Sequence, residues 1–277
     1  MKTDEIIKMA DNLYVGAMDA NAYYSILMQF DELNKKYHEE MTLSPAFYSI
    51  VLSSLEYSCF MELAKLYEES KKVVSVKTLL NDLQEYFSTL SENSNDSNAE
   101  QKNSFQYVLS QKEEVFYKDE VKRQRSLFKT VGVQDWETTG IIINITYSGL
   151  LELYGKRLRS LSKEITNIRL QRNKIYAHKD KDCILSDIKI WESYQISYLN
   201  MKELIDFALD VSIFAIAYFT GVSRPKSYLN IDDWESTLNL VKIGLKYRDY
   251  DFEKNIDKFF ENKNIIKVKG ENDNENI

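Results

Sequence analysis

Residues 167–182, NIRLQRNKIYAHKDKD, concentrate side chains suited to proton transfer and anion binding. His178 is one of only two histidines, and a histidine, with an unperturbed pKa of about 6.5, exchanges protons near neutral pH. Arg172 supplies a planar, permanently charged fork that matches an oxyanion. Asn173 adds a neutral donor beside it, and Arg169, Lys174 and Lys179 make the stretch locally basic. The bland alternative is a solvated helix end, where His178 and the lysines after it complement the negative end of the helix dipole.

Spacing constrains how these groups can meet. Arg172 and Tyr176 lie four residues apart, on one helix face, with Arg169 a turn earlier. Arg172 and His178 lie six apart, which on a straight helix separates them by about 120° around the axis. They converge only where the helix ends near His178, or where a second copy of the helix packs alongside.

The elements that must position this stretch are helical. Eight Gly and two Pro in 277 residues are few, and long helices exclude both, so the composition predicts an all-α chain. Hydrophobic residues at 44% and charged residues at 29% describe a globular protein able to bury a core. A net charge of −7 argues against coating nucleic acid by bulk electrostatics, and leaves room for a small basic cleft. Cys59 and Cys183 stand far apart without CxxC spacing and read as thiols of a reducing compartment. The N-terminus has no signal-peptide core, and the apolar run VSIFAIAYFTGV (211–222) is too short for a span of about 20 residues. A cytoplasmic protein with no membrane partner is the expectation.

Along the chain, Thr3 starts a first helix with Ile6, Ile7, Met9 and Leu13 on its face, and a second covers roughly 19–39. Ser44 and Pro45 mark a strong start, and the helix after them carries Phe47, Ile50, Val51, Leu55, Cys59, Leu63 and Leu66 inward. Ser75 caps a helix through Leu90. Helical pattern resumes at 104–130, breaks at VGVQDW, and continues from Ile141 into one long helix from near Tyr147 to the His178 stretch. A helix at 196–221 and a last pair between Asp232 and about Phe260 complete the set. Residues 1–261 read as one helical domain with a flexible insertion at 91–103, and 262–277 as a disordered tail.

Other candidates are weaker. His38 precedes two glutamates, and nothing completes a metal triad. The carboxylates of IDDWE (231–235) read as a helix start that complements the dipole. P-loop, dinucleotide-binding and HExxH patterns are absent. No cofactor or metal is expected.

RNKIYAH (172–178), an Arg followed by a polar residue, with five residues between Arg and His, resembles the signature of HEPN domains. The wider run RNKIYAHKDKD, and CFMELAKLYEESKKVVSVKTLLNDL (59–83) upstream, are similar to the AbiU-type branch associated with phage abortive infection. The resemblance implies an all-α, HEPN-like bundle with additional helices, dimerising through the motif helix. It further implies a metal-independent endoribonuclease whose composite site lies at the homodimer interface.

In that setting Arg172, His178 and Asn173 are the catalytic set. Arg169, Lys174 and Lys179 would hold neighbouring phosphates, and Tyr176 would stack on a base or pack internally. Members of the family that have lost activity bind RNA or serve as regulatory modules. An inactive module binding RNA or a nucleotide, or a subunit paired with an antitoxin or another defence component, is therefore the alternative reading.

Overall fold

The computed structural model describes residues 2–70, 72–92, 104–173 and 194–272. Helices dominate, as the composition requires: α1 (Thr3–Lys36), α2 (His38–Met41), α3 (Pro45–Leu66) and α4 (Val76–Glu92) come first. Then follow β1 (Phe105–Leu109), a single 3-10 turn at Glu114–Phe116, α5 (Lys118–Thr130) and β2 (Ile141–Ile145). The remaining helices are α6 (Tyr147–Ser160), α7 (Ser162–Gln171), α8 (Tyr198–Thr220) and α9 (Trp234–Asn272).

Two compact units make up the chain: residues 1–23 with 57–228, and residues 24–56 with 229–277. In the larger unit, α4 packs on α6 and α8. Ile6, Cys59, Leu63, Leu79, Leu83, Leu151, Leu204 and Phe207 are fully buried there. An aromatic cluster joins the same three helices, with Phe87 stacked on Tyr147 at 5.5 Å and meeting Tyr218 edge-on at 4.8 Å. In the smaller unit Phe30, Leu33, Tyr37, Met41 and Leu238 form the core, and Trp234 stacks on Phe30 at 5.3 Å.

Pro45 and Ser75 stand at helix starts as the sequence predicts, and Ser197 and Gly221 bound a further helix. Pro45 opens α3. Ser75 and Thr78 exchange hydrogen bonds ahead of α4, with the Thr78 amide 3.3 Å from Ser75 Oγ and the Ser75 amide 2.8 Å from Thr78 Oγ1. Ser197 Oγ accepts from the Asn200 amide at the start of α8, and Gly221 ends that helix at φ 70°, a left-handed conformation that favours glycine.

Several expectations are corrected. The two helices expected within 3–39 are one: buried positions 6, 10, 13, 17, 20, 27 and 30 keep one face in register throughout α1. The stretches 105–109 and 141–145, read as helical, pair as antiparallel strands with Phe105 opposite Ile145 and Leu109 opposite Ile141. Ile141, Ile143 and Ile145 are buried while Ile142 and Asn144 are exposed, the alternation of a half-buried strand. Gly140 sits where a Cβ would come within 2.9 Å of Val108, so the ribbon closes only over glycine.

On α3, Phe47 and Ile50 are 60% and 66% exposed, because Tyr48, Val51 and Leu55 are the residues that pack on the smaller core. The last helix is single, and continues through Asn272 past the expected end near Phe260. Of the insertion expected at 91–103, residues 91 and 92 close α4 and 93–103 lie outside the described residues.

Candidate functional site

The helix that carries the arginines is broken where the sequence reading keeps it whole. Leu161 separates α6 from α7, and α7 buries Ile165, Ile168 and Gln171. Arg169 stands a turn before Arg172, at the border of that buried face. At Arg172 and Asn173 the α-helix widens into a π turn, a feature frequent at functional sites.

Each arginine meets a carboxylate from the segment that follows α3. Arg172 Nη1 donates to Glu68 Oε2 at 2.5 Å, and its Nε donates to Asn173 Oδ1 at 3.0 Å. Arg169 pairs with Glu69. The Arg172 and Glu68 side chains are 22% and 19% exposed, so the pair is half-sheltered. The Arg172 hydrogen bond holds the Glu68 carboxyl below its usual 4.5 against the opposing effect of burial. Arg169 Nε is buried without a partner among the described residues.

A guanidinium has five N–H donors. Among the described residues, Asn173 and Glu68 engage two on Arg172. These bonds orient the fork, and Glu68 compensates its charge.

Residues 194 and 195 pack back on α7. Asn167 Nδ2 donates to the Gln195 carbonyl at 2.9 Å, and Gln171 Nε2 donates to the Tyr194 carbonyl. His178, Lys174, Tyr176 and Lys179, together with Asp180, Lys181 and Cys183, lie outside the described residues. Of the expected site, the described chain brings together Arg169, Arg172 and Asn173.

Glu68 and Glu69 are the residues that sequence reasoning missed. A signal was available: α3 ends at Leu66, and two acids just past a helix C-terminus oppose its dipole unless cations meet them. The partner cations are 104 residues away in sequence for the Glu68 pair, which no local pattern reveals.

A second charged cluster, also unread in the sequence, sits in the same unit. Arg157 Nη1 donates to Glu113 Oε1 at 3.1 Å and to Asp210 Oδ2 at 2.8 Å. Glu113 also accepts from the Tyr107 hydroxyl at 3.1 Å and from the Ser110 amide at 2.8 Å, while Lys226 reaches Asp210 at 2.5 Å. The Glu113 side chain is fully buried and Arg157 is 6% exposed. Burial, with Glu113 beside it, drives the Tyr107 hydroxyl far above its ordinary value. Two cations answer two carboxylates here, with Arg157 Nε buried and without a partner among the described residues, and the cluster ties α6 and α8 to the segment after β1.

The weaker sequence candidates take structural places. His38 opens α2, and no group of three or more metal-ligating side chains occurs among the described residues. Glu235 of IDDWE accepts from the Tyr37 hydroxyl at 3.0 Å and pairs with Lys36. Cys59 is buried, its sulfur 3.5 Å from the Ala20 carbonyl. Among the described residues no helix is long and apolar enough to cross a membrane.

Residues 3–129 match the model of a HEPN family, AbiU2, so this part of the chain is similar to that family. The matched segment contains Glu68 and Glu69 and ends within α5, before α7 and the Arg172–His178 stretch. No curated protein and no solved structure matches the chain.

Proposed function

We propose that this chain is a metal-independent endoribonuclease of phage defence or a toxin, working as a homodimer in which Arg172, Asn173 and His178 of two copies surround one RNA phosphate. The observation that carries the reading is Arg172 itself, half-exposed and oriented by Glu68 and Asn173 at the π turn that follows α7. The match of residues 3–129 to the AbiU2 family model supports the link to abortive infection.

The chemistry asks for what these residue types supply. The ribose 2′-OH attacks the adjacent phosphorus, the O2′–P bond forms, and the P–O5′ bond breaks. His178 takes the 2′-hydroxyl proton, and the partner copy's histidine returns one to the departing 5′ oxygen. Arg172 stabilises charge that develops on the phosphoryl oxygens. A two-fold axis supplies both copies of each group. Arg169, Lys174 and Lys179 would hold flanking phosphates, with Tyr176 against a base.

One observation favours a second reading, an inactive module that binds RNA or a nucleotide, or a subunit paired with an antitoxin or defence partner. The family match stops before Arg172, and Glu68 already compensates that arginine's charge. Incubating RNA in EDTA with the wild-type chain, Arg172→Ala and His178→Ala separates the two. Cleavage by the wild type alone supports the nuclease. Intact RNA with all three proteins leaves the binding module, and a strict monomer in sedimentation removes the composite site.

A further inference from the structure

A cleft of about 200 Å³ opens between the start of α4, the segment after α3 and the junction of α6 with α7. Two cations line it, Lys77 and Arg159, together with the hydroxyl residues Ser162 and Thr166. Leu158 and Ile165 supply an apolar floor. We propose that this cleft is a second phosphate subsite for the RNA backbone, continuous with Arg169 and Arg172 along one face of α7. The proposal rests on the RNA reading above and extends it from one phosphate to a bound strand.

The helix geometry provides the continuity. Ser162, Thr166, Arg169 and Asn173 follow one another at intervals of four, three and four residues, so they form one stripe. From Ser162 to Asn173 the stripe rises about 16 Å, enough for more than one nucleotide of extended strand, and Arg172 adjoins its C-terminal end. The cleft lies at its N-terminal end and Arg172 at its C-terminal end.

Size and polarity choose the occupant. Pockets that enclose a whole small-molecule ligand run from about 300 Å³ upward, so this one suits a phosphate with part of its ribose, leaving the base outside. Arg159 and Lys77 match a phosphate as a planar fork and a point charge. Both are exposed, and no ion pair engages either among the described residues. Ser162 offers a hydroxyl donor. Thr166 has committed its proton to the Ser162 carbonyl at 2.8 Å, which leaves Ser162, Lys77 and Arg159 as the donors to a phosphate. Glu69 also lines the cleft, and Arg169 holds its carboxylate, which offsets the repulsion a phosphate would otherwise meet.

The test uses the full chain and a labelled oligouridylate carrying 2′-O-methyl groups, which removes the nucleophile so that binding is read without cleavage. Binding is measured by fluorescence anisotropy over a range of salt. Each phosphate contact adds about 0.7 to the slope of log affinity against log salt for a single strand. Lys77→Ala combined with Arg159→Ala is expected to reduce the slope by about 1.4 and weaken binding, with each single variant giving about half. Lys77→Arg is expected to keep the wild-type slope, and Lys8→Ala, an exposed cation on α1, to change nothing. An unchanged slope in the double variant, or an equal loss in Lys8→Ala, overturns the subsite and leaves the RNA reading standing. No binding by the wild type overturns both.

Discussion

Two arginine–carboxylate clusters in the larger unit use the same chemistry to opposite ends. Arg157 is 6% exposed and sits between Glu113 and Asp210, each of which accepts from further fixed donors. Arg172 is 22% exposed and meets Glu68 and its own neighbour Asn173. Burial is what separates them. A charge withdrawn from water needs carboxylates beside it, and the burial that encloses Arg157 keeps a ligand away even though its Nε has no partner among the described residues. A charge at the border can be oriented by one partner and still be reached by another group. The difference between the two arginines is access.

The largest effect should come from breaking the buried cluster. Arg157→Ala strands Glu113 in the core and is expected to cost about 3–5 kcal/mol, read as a lower urea midpoint. In a thermal melt that corresponds to a fall on the order of 10 °C. A loss no larger than that of Arg172→Ala would erase the distinction between the two clusters.

Ser75→Ala removes half of the reciprocal cap on α4 and is expected to cost about 1 kcal/mol in the same melt. Its value as a reference is that it touches neither cluster.

The mildest change is Glu68→Gln. Because the Glu68 carboxyl is held below 4.5, its pairing with Arg172 contributes stability above that pH and loses it as pH falls through the lowered value. The wild type should therefore melt slightly above Glu68→Gln at pH 7, by under about 1 kcal/mol. The two curves should merge in acid. A gap that persists or widens in acid would show that the carboxylate does not act through its charge.

These residues also show what a sequence makes legible. Ser44–Pro45, Ser75 and the α8 boundaries were readable because capping is local, a matter of residues within one turn. The strands were not. FQYVL and IIINI are short apolar runs in which period two and a buried helix look alike, and only their pairing across more than thirty residues decides. Phe47 and Ile50 misled for a related reason, since a broad apolar face does not say which of its edges will be covered.

Of the candidate site, Arg169, Arg172 and Asn173 were singled out by residue type, spacing and the family resemblance. Glu68, Glu69 and the break at Leu161 depend on packing between elements far apart in sequence. The predicted end of the helix near His178 lies outside the described residues, and the last described residues before it, Arg172 and Asn173, form a π turn.

The central claim is that Arg172 serves the reaction and Arg157 serves the fold. It is tested most directly by the RNA-cleavage rate of Arg172→Ala in EDTA, at a temperature where circular dichroism shows the variant fully folded. The account predicts that folded Arg172→Ala leaves RNA intact while the wild type cleaves it. Cleavage at the wild-type rate by the folded variant would contradict it.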